Sequence, residues 1–114
     1  DVYKRQYLQF VASGLVSRNG LVKVFEEDLS PFELKRFAGM LKEKFSESSI
    51  GVFSSIEGGF NYVIASSDPE LPKISKSLNA KLNGRGGGRD GMVQGTYRVD
   101  KKAVEEAFDE IFSK

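Results

Sequence analysis

The segment richest in potential chemistry is residues 84–91, which read Gly-Arg-Gly-Gly-Gly-Arg-Asp-Gly. Ordering three consecutive glycines costs conformational entropy, so an ordered segment must use what glycine alone permits, namely exposed backbone amides and positive φ values. Successive exposed N–H groups form a concavity that binds anions. Arg85 and Arg89 flank the triplet and add paired donors that suit phosphate. The segment predicts a contact with phosphate or a nucleic-acid backbone, and the alternative is a flexible loop whose arginines are only solvated.

Composition removes several classes of function. The 114 residues include no cysteine and no histidine, so thiolate zinc sites, iron-sulfur sites, disulfides and Ser-His-Asp or Cys-His catalysis are all excluded. A formal net charge of +1 says little about partners. The apolar runs are far shorter than the roughly 20 residues that a bilayer span needs. We therefore expect a single soluble, cytoplasmic domain that does not enter a membrane.

Two other patterns could suggest a nucleotide or a metal. Gly86, Gly88 and Gly91 match G-x-G-x-x-G, but they follow a predicted helix and precede a predicted strand, whereas a dinucleotide fold has the reverse order. Residues 26–28 read Glu-Glu-Asp and could bind Mg²⁺. Adjacent acids before a helix start are more typical of a solvated strand end. We expect neither site.

Aromatic side chains near the glycine segment could stack on bases. Phe60, Tyr62 and Tyr97 are the candidates, but their alternation within apolar strands favours core positions. Only Tyr97, which lies nearest the glycines in the sequence, is retained as a candidate for stacking.

The elements that must position the glycine segment can be read from periodicity. Ser30, Pro31 and Glu33 form a strong helix start, and an apolar stripe follows it to Phe45. Residues 50–56 and 60–66 are β-rich and separated by Glu-Gly-Gly, which predicts a hairpin. The predicted order is α-β-α-β-β-α-loop-β-α. The fold class is α/β (α+β mixed), with one mixed sheet of about four strands covered by helices.

The helix that precedes the glycine segment carries a basic outer face. Its apolar positions run from Leu71 to Leu82, which leaves Lys73, Lys76 and Lys81 pointing outward. We expect this face to extend the positive surface around the two arginines.

The glycine segment also carries a family resemblance. Residues 83–95, Asn-Gly-Arg-Gly-Gly-Gly-Arg-Asp-Gly-Met-Val-Gln-Gly, resemble the C-terminal DHH-associated domain (DHHA, subfamily 1) of alanyl-tRNA synthetases, AlaX-type editing proteins and DHH-family phosphoesterases. The order of elements agrees with that family. The resemblance implies a domain at 20–114 and, at 1–19, an N-terminal helix and linker from a preceding region.

Details within the motif separate the branches of this family. The phosphoesterase branch is marked by a histidine directly after the glycine triplet, where this chain has Arg89. The triplet followed by arginine, a methionine and Gln94-Gly95 resembles the alanyl-tRNA branch. Val93-Gln94-Gly95 is more similar to AlaX-type editing proteins than to the synthetases.

The resemblance implies a tRNA-binding module, with alanine tRNA as partner, within an aminoacyl-tRNA synthetase or editing hydrolase. The chain alone is expected to be non-catalytic and without a cofactor, since the family's editing zinc lies in a separate domain. The candidate nucleic-acid-binding residues are Lys76, Lys81, Arg85, Gly86, Gly87, Gly88, Arg89 and Gln94. Two alternatives stay open. One is the substrate-binding domain of a DHH-family phosphoesterase or oligoribonuclease; the other is a homodimerisation domain, with the predicted hairpin offering an edge strand.

Overall fold

Helices and strands follow one another along the chain in the order that the periodicity predicts. A computed structural model describes residues 2–89 and 91–112, and within them the elements are α1 (Val2–Ser13), β1 (Leu21–Glu27), α2 (Pro31–Lys44), β2 (Ser49–Ile56), β3 (Gly59–Ala65), α3 (Leu71–Lys81), β4 (Arg85–Arg89), β5 (Met92–Tyr97) and α4 (Lys101–Phe112). The described residues include no helix long and apolar enough to cross a bilayer.

The strands form one mixed sheet in the order β1-β2-β3-β5-β4. Strand β1 pairs parallel with β2, and the remaining neighbours pair antiparallel. The mixed α/β class and the order of elements are confirmed, as is the hairpin of β2 and β3, whose connection includes Gly58 with φ of 80°.

The segment predicted as a loop is strand β4. Residues 85–89 pair antiparallel with β5 and form one edge of the sheet, so the sheet has five strands rather than about four. Glycine has low strand propensity, and a triplet carries no side-chain pattern by which a strand could be recognised. Backbone pairing with β5 decides the conformation instead.

The predicted hairpin does not supply an edge strand. Both β2 and β3 lie inside the sheet, and the edges are β1 and β4. The reason for expecting dimerisation through the hairpin is therefore wrong, because the hairpin strands already have neighbours on both sides.

Two apolar clusters lie on opposite faces of the sheet. Helices α1 and α2 pack on one face, around Phe37, Leu41 and Val63. Helices α3 and α4 pack on the other face, around Leu78, Tyr97 and Phe108. Because successive residues of a strand point to opposite faces, β1, β2, β3 and β5 supply side chains to both layers.

The start of α2 is capped as the sequence predicts. The Glu33 backbone N–H donates to Ser30 Oγ at 3.1 Å, and the Ser30 backbone N–H donates to Glu33 Oε1 at 2.8 Å. This capping box satisfies two backbone donors that the first helical turn leaves unpaired.

Replacing Ser30 by alanine is expected to lower the free energy of unfolding by about 1 kcal/mol, because the Glu33 N–H loses its acceptor. Urea denaturation followed by circular dichroism measures the change. Ser67→Ala is the matched control, since Ser67 is exposed and makes no side-chain hydrogen bond within the described residues. Equal stability of the two variants would contradict a capping role.

Candidate nucleic-acid interface

The register of β4 on β5 brings both arginines of the glycine segment onto one face of the sheet. Arg85 lies opposite Thr96, Gly87 opposite Gln94, and Arg89 opposite Met92. Because the side-chain period of a strand is two residues, Arg85, Gly87 and Arg89 share a face. Strands β4 and β5 form a second antiparallel hairpin. We call the surface that Arg85, Gly87, Arg89, Gln94 and Thr96 form on it the hairpin face.

The hairpin face is open to solvent. Helix α2, which covers this side of the sheet, packs on β2 and β3. Every residue of β4 is exposed, and so is Gln94. A cavity of about 170 Å³ separates the start of α2 from β5 and is lined by residues that include Pro31, Gln94 and Thr96. A ligand can therefore reach both arginines.

The two arginines of the hairpin face have no carboxylate partner within residues 2–89 and 91–112. The ion pairs found there all use lysine as the cation, and they join Lys4 to Glu33, Lys23 to Asp109, Lys73 to Glu70, Lys81 to Glu110 and Lys102 to Glu106. Guanidinium groups present planar paired donors that match phosphate oxygens. Arg85 and Arg89 can therefore donate to an external anion.

Backbone groups of β4 are also available. As the last strand of the sheet, β4 has a strand neighbour on one side only, so alternate N–H and C=O groups point away from β5. One of these, the Gly86 carbonyl, accepts a long hydrogen bond of 3.5 Å from Asn79 Nδ2. The exposed amides expected from the glycines thus belong to a strand edge rather than to a loop.

Three glycines on the opposite face of the hairpin formed by β4 and β5 are required by packing, and one of them is Gly88, whose Cβ would lie 2.3 Å from the Met92 carbonyl oxygen. A Cβ on Gly95 would lie 2.0 Å from the Arg85 carbonyl oxygen, and one on Gly86 would lie 2.2 Å from the Gln94 carbonyl oxygen and 2.7 Å from the Tyr62 hydroxyl. The Tyr62 hydroxyl donates to Asn79 Oδ1 at 3.1 Å, and burial raises the pKa of Tyr62. Gly86 and Gly95 therefore give the backbones and the tyrosine the space they occupy.

Gly87 has no such packing role. A Cβ built on Gly87 would meet nothing within 4 Å. Its lack of a side chain instead leaves the middle of the hairpin face flat, between Arg85 and Arg89.

The basic residues of α3 lie on the other side of the sheet. Helix α3 packs against the face that carries Tyr62 and Tyr97, so Lys76 and Lys81 are separated by the sheet from the hairpin face. Lys81 donates to Glu110 Oε1 at 2.9 Å, and this hydrogen bond holds the pKa of the Glu110 carboxyl below its usual value. A role of Lys76 and Lys81 in binding stays a prediction.

The expectation that Tyr97 stacks on bases is wrong. Tyr97 is fully buried, and its ring stacks on Tyr62 with centroids 4.0 Å apart. It lies one residue from Thr96 and so faces the α3 and α4 layer, where burial raises the pKa of its hydroxyl. The core positions expected for Phe60 and Tyr62 are confirmed.

A basic residue that the sequence reasoning missed borders the hairpin face. Arg98 follows β5, and it lines a cavity together with Asn83, Arg85 and Thr96. The sequence did carry a signal for Arg98. It follows Thr96 by two residues, so the two side chains share one face if the strand geometry continues beyond β5.

The acidic run at residues 26–28 begins within β1 and continues just past its end. Glu26 accepts a hydrogen bond of 2.8 Å from the Tyr7 hydroxyl. Across the described part of the chain, no group of three or more acidic side chains could hold a metal ion.

The fold and the motif together define a DHH-associated domain. The chain matches the DHHA1 domain over residues 17–114 and belongs to that family, as the motif at 83–95 predicts. Helix α1 precedes the matched region.

Relatives of the chain include a curated enzyme. An alanine–tRNA ligase of Malacoplasma penetrans (strain HF-2) is 35% identical in an alignment over 71 residues, and the match covers 55% of this chain and 8% of the ligase. The chain thus matches less than a tenth of the length of that relative.

Solved structures share the architecture. The C-Ala domain of Aquifex aeolicus alanyl-tRNA synthetase superposes with a TM-score of 0.68 at 23% identity, covering 88% of this chain and 98% of that domain. RecJ of Thermus thermophilus, solved in complex with Mg²⁺, superposes with a TM-score of 0.67 at 12% identity, covering 91% of this chain and 16% of RecJ. At these identities the likeness establishes the fold.

Proposed function

We propose that this chain binds tRNA through the hairpin face, as the C-terminal module of an alanyl-tRNA synthetase-related or AlaX-type editing protein. The observation that carries the proposal is the register of β4, which aligns Arg85 and Arg89 on one exposed face with Gly87 between them. The similarity to an alanine–tRNA ligase and to a C-Ala domain supports tRNA, and alanine tRNA in particular, as the nucleic acid.

The binding is electrostatic and directed at the backbone of the RNA. Each arginine donates to phosphate oxygens, and the flat surface at Gly87 lets the RNA backbone approach the strand. Gln94, opposite Gly87, supplies an amide that both donates and accepts hydrogen bonds. Phosphate contacts position an RNA without reading its sequence, so other domains of the parent protein would select the tRNA.

In this role the chain itself performs no catalysis. Aminoacylation, or the hydrolysis of a wrongly attached amino acid with its zinc, belongs to other domains of a longer protein. The role of this chain is to raise the local concentration of tRNA at those domains.

Removing both arginines tests the proposal. The variant Arg85→Gln/Arg89→Gln is expected to bind alanine tRNA about tenfold more weakly than the wild type and to show a shallower salt dependence, by about one to two in the log–log slope. Fluorescence titrations at several salt concentrations measure both quantities.

The matched control is Arg5→Gln/Arg18→Gln, which removes the same charge from exposed positions outside the hairpin face. Equal affinities and slopes for the two double variants would remove Arg85 and Arg89 from the interface. Tighter binding of a short oligonucleotide than of folded tRNA would instead favour the phosphoesterase-type role, which Arg89 in place of histidine disfavours.

A further inference from the structure

The strongest unassigned feature of the molecule is the cavity at the end of the hairpin face. It has a volume of about 520 Å³ and is lined by Asn83, Arg85, Thr96 and Arg98. That volume lies within the range of about 300–1,000 Å³ typical of pockets for small ligands. Among the described residues, the lining contains two cations and no acid.

Arg98 is held in place from two directions. Its side chain donates from Nη1 to the Glu57 carbonyl oxygen at 3.0 Å, in the turn between β2 and β3. Its backbone N–H donates to the Leu82 carbonyl oxygen at 3.2 Å, at the end of α3. One of the five guanidinium N–H groups is thus used internally, and the others remain available.

Arg85 reaches the same cavity from the neighbouring strand. It lies directly opposite Thr96, and its side chain has no hydrogen-bond or ion-pair partner within the described residues. Thr96 Oγ1 already donates its proton to Asn61 Oδ1 at 3.0 Å. The donors left for an anion are therefore the two guanidinium groups and the side-chain amide of Asn83.

We propose that Arg85 and Arg98 together bind a single phosphate group of the RNA, with Asn83 contacting the same phosphate or its ribose. In the part of the chain that the structure describes, the two guanidinium groups line one cavity without a carboxylate, so both can donate to a single anion there. The turn and the helix end hold Arg98 before the ligand arrives, so little side-chain entropy is lost on binding. The RNA part of this inference rests on the proposed function, whereas the phosphate site does not.

Binding of inorganic phosphate tests the cavity without RNA. In a nuclear magnetic resonance titration of the full chain with millimolar phosphate, the Nε–H signals of Arg85 and Arg98 are expected to shift together, with one shared dissociation constant. The Nε–H signal of Arg18, exposed elsewhere, is expected to stay in place. A shift at Arg85 without one at Arg98, or no shift at either, would overturn the proposal.

RNA titrations test whether the two arginines act on the same phosphate. Arg85→Gln and Arg98→Gln are each expected to weaken binding about threefold to fivefold, and the double variant is expected to lose less than the product of the two factors. The salt slope of the double variant is expected to fall by about one, as for a single phosphate. Arg18→Gln is the control. Wild-type affinity and slope for Arg98→Gln would overturn the proposal.

A second variant separates charge from folding. If Arg98→Gln unfolds because the bond to the Glu57 carbonyl is lost, Arg98→Lys keeps both the charge and a donor, and it is expected to fold and to bind phosphate more weakly than the wild type. Full phosphate and RNA binding by a folded Arg98→Lys would contradict the paired-donor geometry. Phosphate shifts at both arginines in a chain that binds no RNA would leave the cavity intact and overturn only the proposed tRNA function.

Discussion

Replacing Gly95 by alanine is expected to lower the free energy of unfolding by about 3 kcal/mol, near the upper end for overpacking of a tight site. The added Cβ would lie 2.0 Å from the Arg85 carbonyl oxygen and 2.7 Å from the Gly86 Cα. Both neighbours are backbone atoms, so the clash cannot be relieved by rotating a side chain. Strand β4 must move away from β5, which also disturbs the Tyr62 hydroxyl beneath Gly86.

Urea denaturation followed by tyrosine fluorescence measures this change. Gly87→Ala is the matched control in the neighbouring strand, because its Cβ would meet no atom within 4 Å. We expect its stability to stay within about 0.5 kcal/mol of the wild type, as for most surface substitutions. Similar losses in the two variants would show that β4 does not approach β5 as closely as the structure has it.

Replacing Gly87 by glutamate is expected to reduce tRNA affinity by about tenfold or more while leaving the fold intact. The new carboxylate would lie on the hairpin face, two residues along the strand from Arg85 and from Arg89, or about 7 Å from each along the strand. It would pair with the guanidinium groups and repel phosphate. The variant thus adds a competing anion where the ligand is proposed to bind.

Gly39→Glu provides the control for the change in net charge. Gly39 lies in α2, and a Cβ there also meets nothing within 4 Å. Fluorescence titration of alanine tRNA against both variants, with thermal unfolding to show that each is folded, gives the comparison. If folded Gly87→Glu binds as tightly as Gly39→Glu, the hairpin face is not the tRNA-binding surface.

Elements with local signals were predicted correctly. The Ser30 and Glu33 side chains cap α2 as their spacing indicates, because a capping box involves only residues within one turn. The hairpin of β2 and β3 follows from two apolar runs and the glycines between them. The family could also be recognised, because the motif at 83–95 is contiguous.

Relations between distant segments could not be predicted in the same way. The ion pair of Lys81 with Glu110 joins residues 29 positions apart and depends on how α3 packs beside α4. The burial of Tyr97 depends on which face of β5 meets that helical layer. The period of two along β5 predicts that its side chains alternate between the two faces of the sheet. It does not show that the face opposite Tyr97 is left partly uncovered.

The amino-acid sequence by itself determined the family, the order of elements and the residue types that can bind phosphate, since all of these are carried by local or contiguous patterns. Only the tertiary structure decided that residues 85–89 form an edge strand, that Arg85 and Arg89 share one open face, and that Arg98 joins Arg85 at a cavity. The physical reason is that three glycines have no side chains to specify a strand face. The alignment of their neighbours is set by backbone pairing with β5, which exists only once the sheet has formed.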